Sequence, residues 1–236
     1  MVRGSKVRPF IVALDDEWSE SKVWLKRLKG RVWGFKVGSI LFSQKGPKVV
    51  EEIQKAGFRV FLDLKFHDIP NTVEGAVREA FKMGVNLCTV HACGGRQMLE
   101  AISPLQKKDQ RLLAVTVLTS LDQKNLEEIG VERSLREQVA SMAELAVGCG
   151  IKGLVSSPHE VSLLRQKFSS ALLVTPGVRL QQAHDQKRVA TPQQAIDDGA
   201  DLLVIGRALT ESKNWEKSWD ELTSSLEGTS LKKRSA

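Results

Sequence analysis

Eight short apolar runs, each followed by a stretch of helical periodicity, divide this chain into repeating units and leave few folds open to it. The runs are rich in Val, Ile, Leu and Phe and lack a polar residue at every second place, which suits strands covered on both faces. They fall at 10–14, 34–37, 59–64, 87–90, 112–117, 153–155, 172–175 and 202–205. Between them, 47–56, 72–83, 135–148 and 191–198 carry apolar residues at three- and four-residue spacing, the pattern of a helix with one buried face. Local signals agree. Gly57 and Gly84 follow helical stretches as C-terminal stops, Thr72 with Glu74 and Gly75 opens one helix, and Pro192 after Thr191 takes the first helical position of another. Strand–helix units of about thirty residues, repeated eight times, predict an α/β fold of one domain: a single (β/α)8 TIM barrel. A doubly wound open sheet is the rival, but no GxGxxG follows the first strand. No linker or low-complexity run interrupts the chain, so the barrel is placed at 9–228, between basic tails at 1–8 and 229–236.

Composition narrows the function classes. The formal charge is +7, yet Arg3, Lys6 and Arg8 at one end and Lys232, Lys233 and Arg234 at the other supply most of it. Nucleic-acid binding needs a basic stripe on a folded face, so none is expected. Apolar runs such as LLAVTVL (112–118) are far short of the roughly 20 residues that cross a bilayer, and the basic start MVRGSKVRPF is not followed by a signal-peptide core. The expectation is a cytoplasmic protein with no membrane contact. Cys88, Cys93 and Cys149 are odd in number and lack CxxC spacing, so they are read as buried or half-buried small residues.

In a barrel of this kind the reactive groups project from the C-terminal strand ends and the loops after them. Asp15 closes the first run, Lys36 sits inside GFKVG, and Asp63, Lys65 and Asp68 lie in FLDLKFHDIPNT (61–72). Strand alternation puts Asp63 and Lys65 on one face and Leu62, Leu64 and Phe66 on the other, so the charged pair should aim into the barrel mouth. Asp68 lies past the strand, where a second carboxylate can bracket the Lys65 ammonium. Lys36 in an apolar strand needs a partner, and Asp15 and Asp63 are the candidates. An alternating series Lys36, Asp63, Lys65, Asp68 would be preorganised electrostatics; the bland alternative is an interior salt bridge, a weak stabiliser once desolvation is counted.

The seventh and eighth strand ends read VTPGVR and VIGRAL, where these barrels commonly bind phosphate. Gly177 and Gly206 permit close backbone approach, and Arg179 or Arg207 can fork onto phosphate oxygens. The polar RLQQAHDQKR between them is long enough for a lid. His67, His91, His159 and His184 show no HxxxH or HxH spacing, so no metal site is expected; His67 and His91 read as packing residues near the mouth. GGR at 94–96 is read as a helix start rather than a phosphate loop.

FLDLKFHDIPNT resembles the signature of orotidine 5'-phosphate decarboxylases, whose DxKxxD core stands here as Asp63, Lys65 and Asp68. The likeness continues through VALD, FKVG, VHACGG, AVTVLTS, VTPGVR and VIGRAL in the same order. The resemblance implies conversion of orotidine monophosphate (OMP) to uridine monophosphate (UMP) and carbon dioxide in pyrimidine biosynthesis, without cofactor or metal. It also implies a homodimer with sites at the subunit interface. Lys65, Asp63, Asp68 and Lys36 would be catalytic; Asp15 and Lys36 would hold the ribose. Thr72 and Asp68 would reach the partner's site, Thr119 would lie near the pyrimidine, and Arg179, Gln186, Gly206 and Arg207 would take the phosphate. Gln181 and Gln182 rival Gln186 for that contact. Sugar-phosphate decarboxylases or aldolases of the same superfamily share DxKxxD but typically use magnesium; a non-catalytic phosphate-binding barrel is the other alternative.

Overall fold

A computed structural model of the chain describes residues 7–178 and 190–226. Eight parallel strands close into a barrel in chain order: β1 (Arg8–Leu14), β2 (Val32–Gly38), β3 (Arg59–Phe66), β4 (Leu87–His91), β5 (Arg111–Val115), β6 (Gly153–Val155), β7 (Leu172–Thr175) and β8 (Leu202–Ile205). β8 pairs back onto β1, so no sheet edge is left open. The barrel predicted from the run spacing is the one observed.

Differences from the expected boundaries have local causes. The fifth strand stops at Val115 rather than 117, because Val115 is the last residue with a partner on either side, His91 on β4 and Val155 on β6. The helix expected to open at Thr72 begins two residues earlier, as Pro70–Lys82. Pro70 supplies a helical φ at a position where no backbone N–H is required, and the Val73 N–H already donates to the Ile69 carbonyl at 3.1 Å. Thr72 therefore lies inside the first turn. Helix Pro192–Asp197 starts as expected, with the Thr191 hydroxyl accepting from the Gln194 N–H. Helix Leu135–Gly148 is opened by a reciprocal cap between Ser134 and Glu137.

Two apolar layers follow from the two faces of the strands. Val12, Leu14, Phe35, Val37 and Leu62 face outward and pack under helix residues such as Leu41, Val50, Ile53 and Val77. Ile11, Ala13, Phe61, Leu87, Leu113, Leu172, Val174, Leu202 and Val204 fill the barrel interior. The inner fill leaves little room: at Gly34 a Cβ would stand 2.4 Å from the Arg59 carbonyl oxygen, so no side chain fits there. At the N-terminal end, the half-buried Arg165 guanidinium donates to the Gly199, Phe168, Ser169 and Ala171 carbonyls and pairs with Asp201 at 2.6 Å. Asp201 also accepts the Leu173 N–H, so one ion pair ties together the turns leading into β7 and β8.

Cys88 and Cys149 are buried, but Cys93 is exposed, contrary to expectation. It lies in the short turn Ala92–Gly94 at the barrel mouth, where Ala92 is buried in the apolar layer under the helices and the Cys93 sulfur turns toward His67. Gly95–Ile102 is a helix, as GGR suggested. No helix among the described residues is long and apolar enough to cross a membrane.

Candidate active site

The inner columns of the strands turn from apolar to charged toward their C-terminal ends. Lys36 is level with Ala13 on β1 and Phe61 on β3, both inner-core residues, so its side chain rises above the apolar fill. Its Nζ donates to Asp15 Oδ1 at 3.0 Å and lies 3.7 Å from Asp63 Oδ2. Lys65 Nζ meets the other Asp63 oxygen at 2.9 Å. Asp15, Lys36, Asp63 and Lys65 thus form one alternating array across three strands, with Asp63 as the shared carboxylate. Gly38 keeps the space open: a Cβ there would lie 3.2 Å from Lys36 Nζ and 3.4 Å from Asp15 Oδ1.

The array depends on an irregularity that strict alternation did not anticipate. The β3–β4 register shifts between Leu62 and Phe66, so that β3 gains two residues on β4. Within that bulge Lys65 has φ +51°, a left-handed conformation that no other non-glycine described residue adopts. For an L-residue this costs about 1–2 kcal/mol and persists only where the surroundings enforce it. The Lys65 N–H donates at 2.9 Å to the Thr89 hydroxyl, which in turn donates to Asp63 Oδ1 at 3.0 Å. Thr89 is fully buried and was not among the expected site residues. Its only signal in the sequence is a lone hydroxyl in the apolar run LCTVH, two places before His91.

Beside the array, the His67 and His91 rings lie 5.5 Å apart, and the Cys93 sulfur is 3.9 Å from His67 Nε2. Burial holds the His91 pKa below its usual value, with the charges of His67 and Lys65 acting the same way. Burial, reinforced by Asp63, pushes the Cys88 thiol far up, so it stays protonated. Among the described residues, no group of three or more His, Cys, Asp or Glu side chains is placed to hold a metal ion.

The remaining expected residues lie around the same mouth without joining the array. Asp68 is exposed; its Oδ1 accepts the Ile69 N–H at 2.6 Å, and among the described residues it forms no ion pair. The four-member series expected to end at Asp68 therefore runs, within one chain, from Asp15 to Lys65 instead. The reason is geometric: Asp68 lies beyond the bulge and turns toward the start of helix Pro70–Lys82. Thr72 is exposed on that helix, and Thr119 is exposed in the loop after β5. Gly206 follows β8 directly, and Arg207 is exposed at the head of helix Arg207–Thr210. Arg179, Gln181, Gln182 and Gln186, with the rest of the expected lid, fall outside the described residues.

A closed (β/α)8 barrel whose C-terminal mouth gathers two ammonium groups on a shared carboxylate has the architecture of a barrel enzyme. The family model described as "Orotidine 5'-phosphate decarboxylase / HUMPS family" matches residues 8–222, and the chain belongs to that family. It is 48% identical over 212 residues to an orotidine 5'-phosphate decarboxylase from Alcanivorax borkumensis, covering 87% of this chain and 92% of that protein. Identity to the enzyme of the same name from Pseudoalteromonas translucida is 45% over 217 residues, covering 89% of this chain and 93% of that protein. The solved orotidine 5'-phosphate decarboxylase from Lactobacillus acidophilus superposes with a TM-score of 0.80 at 34% identity, covering 93% of this chain and 99% of that one.

Proposed function

We propose that this protein is an orotidine 5'-phosphate decarboxylase, a carboxy-lyase that releases carbon dioxide from OMP to give UMP. The observation that carries the reading is the Lys65 ammonium, 2.9 Å from Asp63 at the barrel mouth and anchored in a backbone conformation that an unconstrained lysine avoids. Breaking the bond between the ring carbon and the carboxylate leaves an electron pair on a carbon that has no neighbouring carbonyl to receive it. A fixed cation must then stabilise that charge. Lys65 Nζ serves, first as the positive group beside the developing carbanion and then as the donor of the proton that replaces carbon dioxide; water returns a proton to the amine. Because the ion pairs exist before substrate arrives, no dipoles need reorganise during the reaction.

Asp15 and Lys36 are assigned to the ribose hydroxyls, and Thr119 to the pyrimidine side. Gly206 and Arg207, with Arg179 and Gln186, are assigned to the phosphate. Binding energy from that remote phosphate lowers the barrier at the ring, out of a total of up to about 23 kcal/mol in demanding enzymes. Asp68 and Thr72 are assigned to the partner's site in a homodimer; their exposure beside the mouth, with no ion pair to Asp68 among the described residues, supports this. The catalytic barrel is placed at 9–228, flanked by basic segments, and the enzyme in the cytoplasm. Loss of ultraviolet absorbance on adding OMP tests the activity. Turnover unaffected by a chelator is expected. No turnover of OMP, or a chelator-sensitive reaction on a sugar phosphate, would move the chain to the metal-using branch of the superfamily.

A further inference from the structure

We propose that Thr89 is a positioning residue for the decarboxylation, its hydroxyl fixing the Lys65 main chain and the Asp63 carboxylate as one rigid unit. The proposal rests on Lys65 being the group beside the reacting carbon. Four atoms close a ring: the Lys65 N–H donates to Thr89 Oγ1 at 2.9 Å, Thr89 Oγ1 donates to Asp63 Oδ1 at 3.0 Å, and Lys65 Nζ donates to the same Asp63 oxygen at 2.9 Å. A hydroxyl has one proton, and an N–H and a carboxylate each permit only one role, so both bond directions are determined.

The bulge makes this hydroxyl necessary. Where β3 slips against β4, Lys65 has left the regular β3–β4 ladder, and its N–H donates to the Thr89 hydroxyl. Its φ of +51° is thereby held from the neighbouring strand, and the start of the Lys65 side chain is set by the same atom that orients its carboxylate partner. Thr89 is 0% exposed, so water does not replace the hydroxyl without repacking. Valine has the same shape and no hydroxyl; serine keeps the hydroxyl and loses only a methyl group. Linked hydrogen bonds polarise one another, so the ring holds Lys65 more firmly than three separate contacts would.

The test compares Thr89→Val and Thr89→Ser with wild type for kcat and KM on OMP, for UMP affinity by calorimetry, and for melting temperature. Thr89→Val should lose about a hundredfold in kcat, the order of loss from displacing a catalytic group by 1 Å, with UMP affinity within about threefold of wild type. Thr89→Ser should keep kcat within about threefold, a rescue that a purely space-filling role does not give. Should Thr89→Val not fold, Thr89→Ala carries the same expectation. Wild-type kcat in Thr89→Val or Thr89→Ala would overturn the proposal. So would an equal loss in Thr89→Ser, or a loss of kcat matched by weakened UMP binding. Lys65→Ala serves as the reference: if it retained turnover, the role of Lys65 itself would fail, an outcome separable from any result at position 89.

Discussion

Asp63 is the residue on which the site turns, because its two oxygens divide between Lys65 on one side and Lys36 on the other. If Lys65 supplies the stabilising charge and the proton, Lys65→Ala should reduce turnover below detection while UMP still binds through its phosphate. Calorimetry with UMP and the ultraviolet assay with OMP together check this, and measurable turnover in the variant would count against the assignment. Asp63→Asn should also lower kcat strongly, since both lysines lose a charged partner and the Thr89 hydroxyl loses its acceptor. His91 gives a pH expectation. Its folded pKa is lowered from 6.5, chiefly by burial, so it contributes stability above that pH that is lost as pH falls through the folded value. Melting temperatures should therefore drop as pH falls below 6.5, with part of that slope removed in His91→Gln; an identical slope in the variant would discount His91.

Among the elements, β3 departs most from a regular strand, and it carries Asp63 and Lys65 of the charged array. Alternation correctly placed Leu62, Leu64 and Phe66 toward the helices, because burial of that face leaves no choice. It had no means of showing the slipped register, which arises from what β4 offers opposite. At the other end of the barrel, Arg165 with Asp201 lies away from the charged array and should matter for stability alone. Breaking a half-buried pair that also satisfies four carbonyl groups should cost about 3–5 kcal/mol, so Arg165→Met should lower the melting temperature while leaving kcat of the folded fraction unchanged. Denaturant unfolding beside the activity assay separates the two, and a change in kcat would show the ends of the barrel to be coupled.

At the scale of the whole molecule, the exposed Asp68 and Thr72 make the assembly the decisive question. If sites are shared across a dimer as proposed, mixing inactive Lys65→Ala with inactive Asp68→Ala chains should restore part of the activity. In each mixed dimer one site then holds a native Lys65 from one chain and a native Asp68 from the other. Absence of any recovery after co-refolding would place Asp68 outside the partner's site.

The amino-acid order by itself determined the barrel and most of its mouth. Strand–helix periodicity survives in any context, and a lysine or aspartate in an apolar run must find a partner, which is why Asp15, Lys36, Asp63 and Lys65 were legible. Thr89 was not, because a threonine is common in strands and its importance comes from an N–H on another strand, 24 residues away in the chain. The bulge, the left-handed Lys65 and the outward turn of Asp68 were likewise decided only when β3 met β4. Hydrogen-bond partners across a barrel are chosen by register, and register is a property of two strands packed together, written in neither alone.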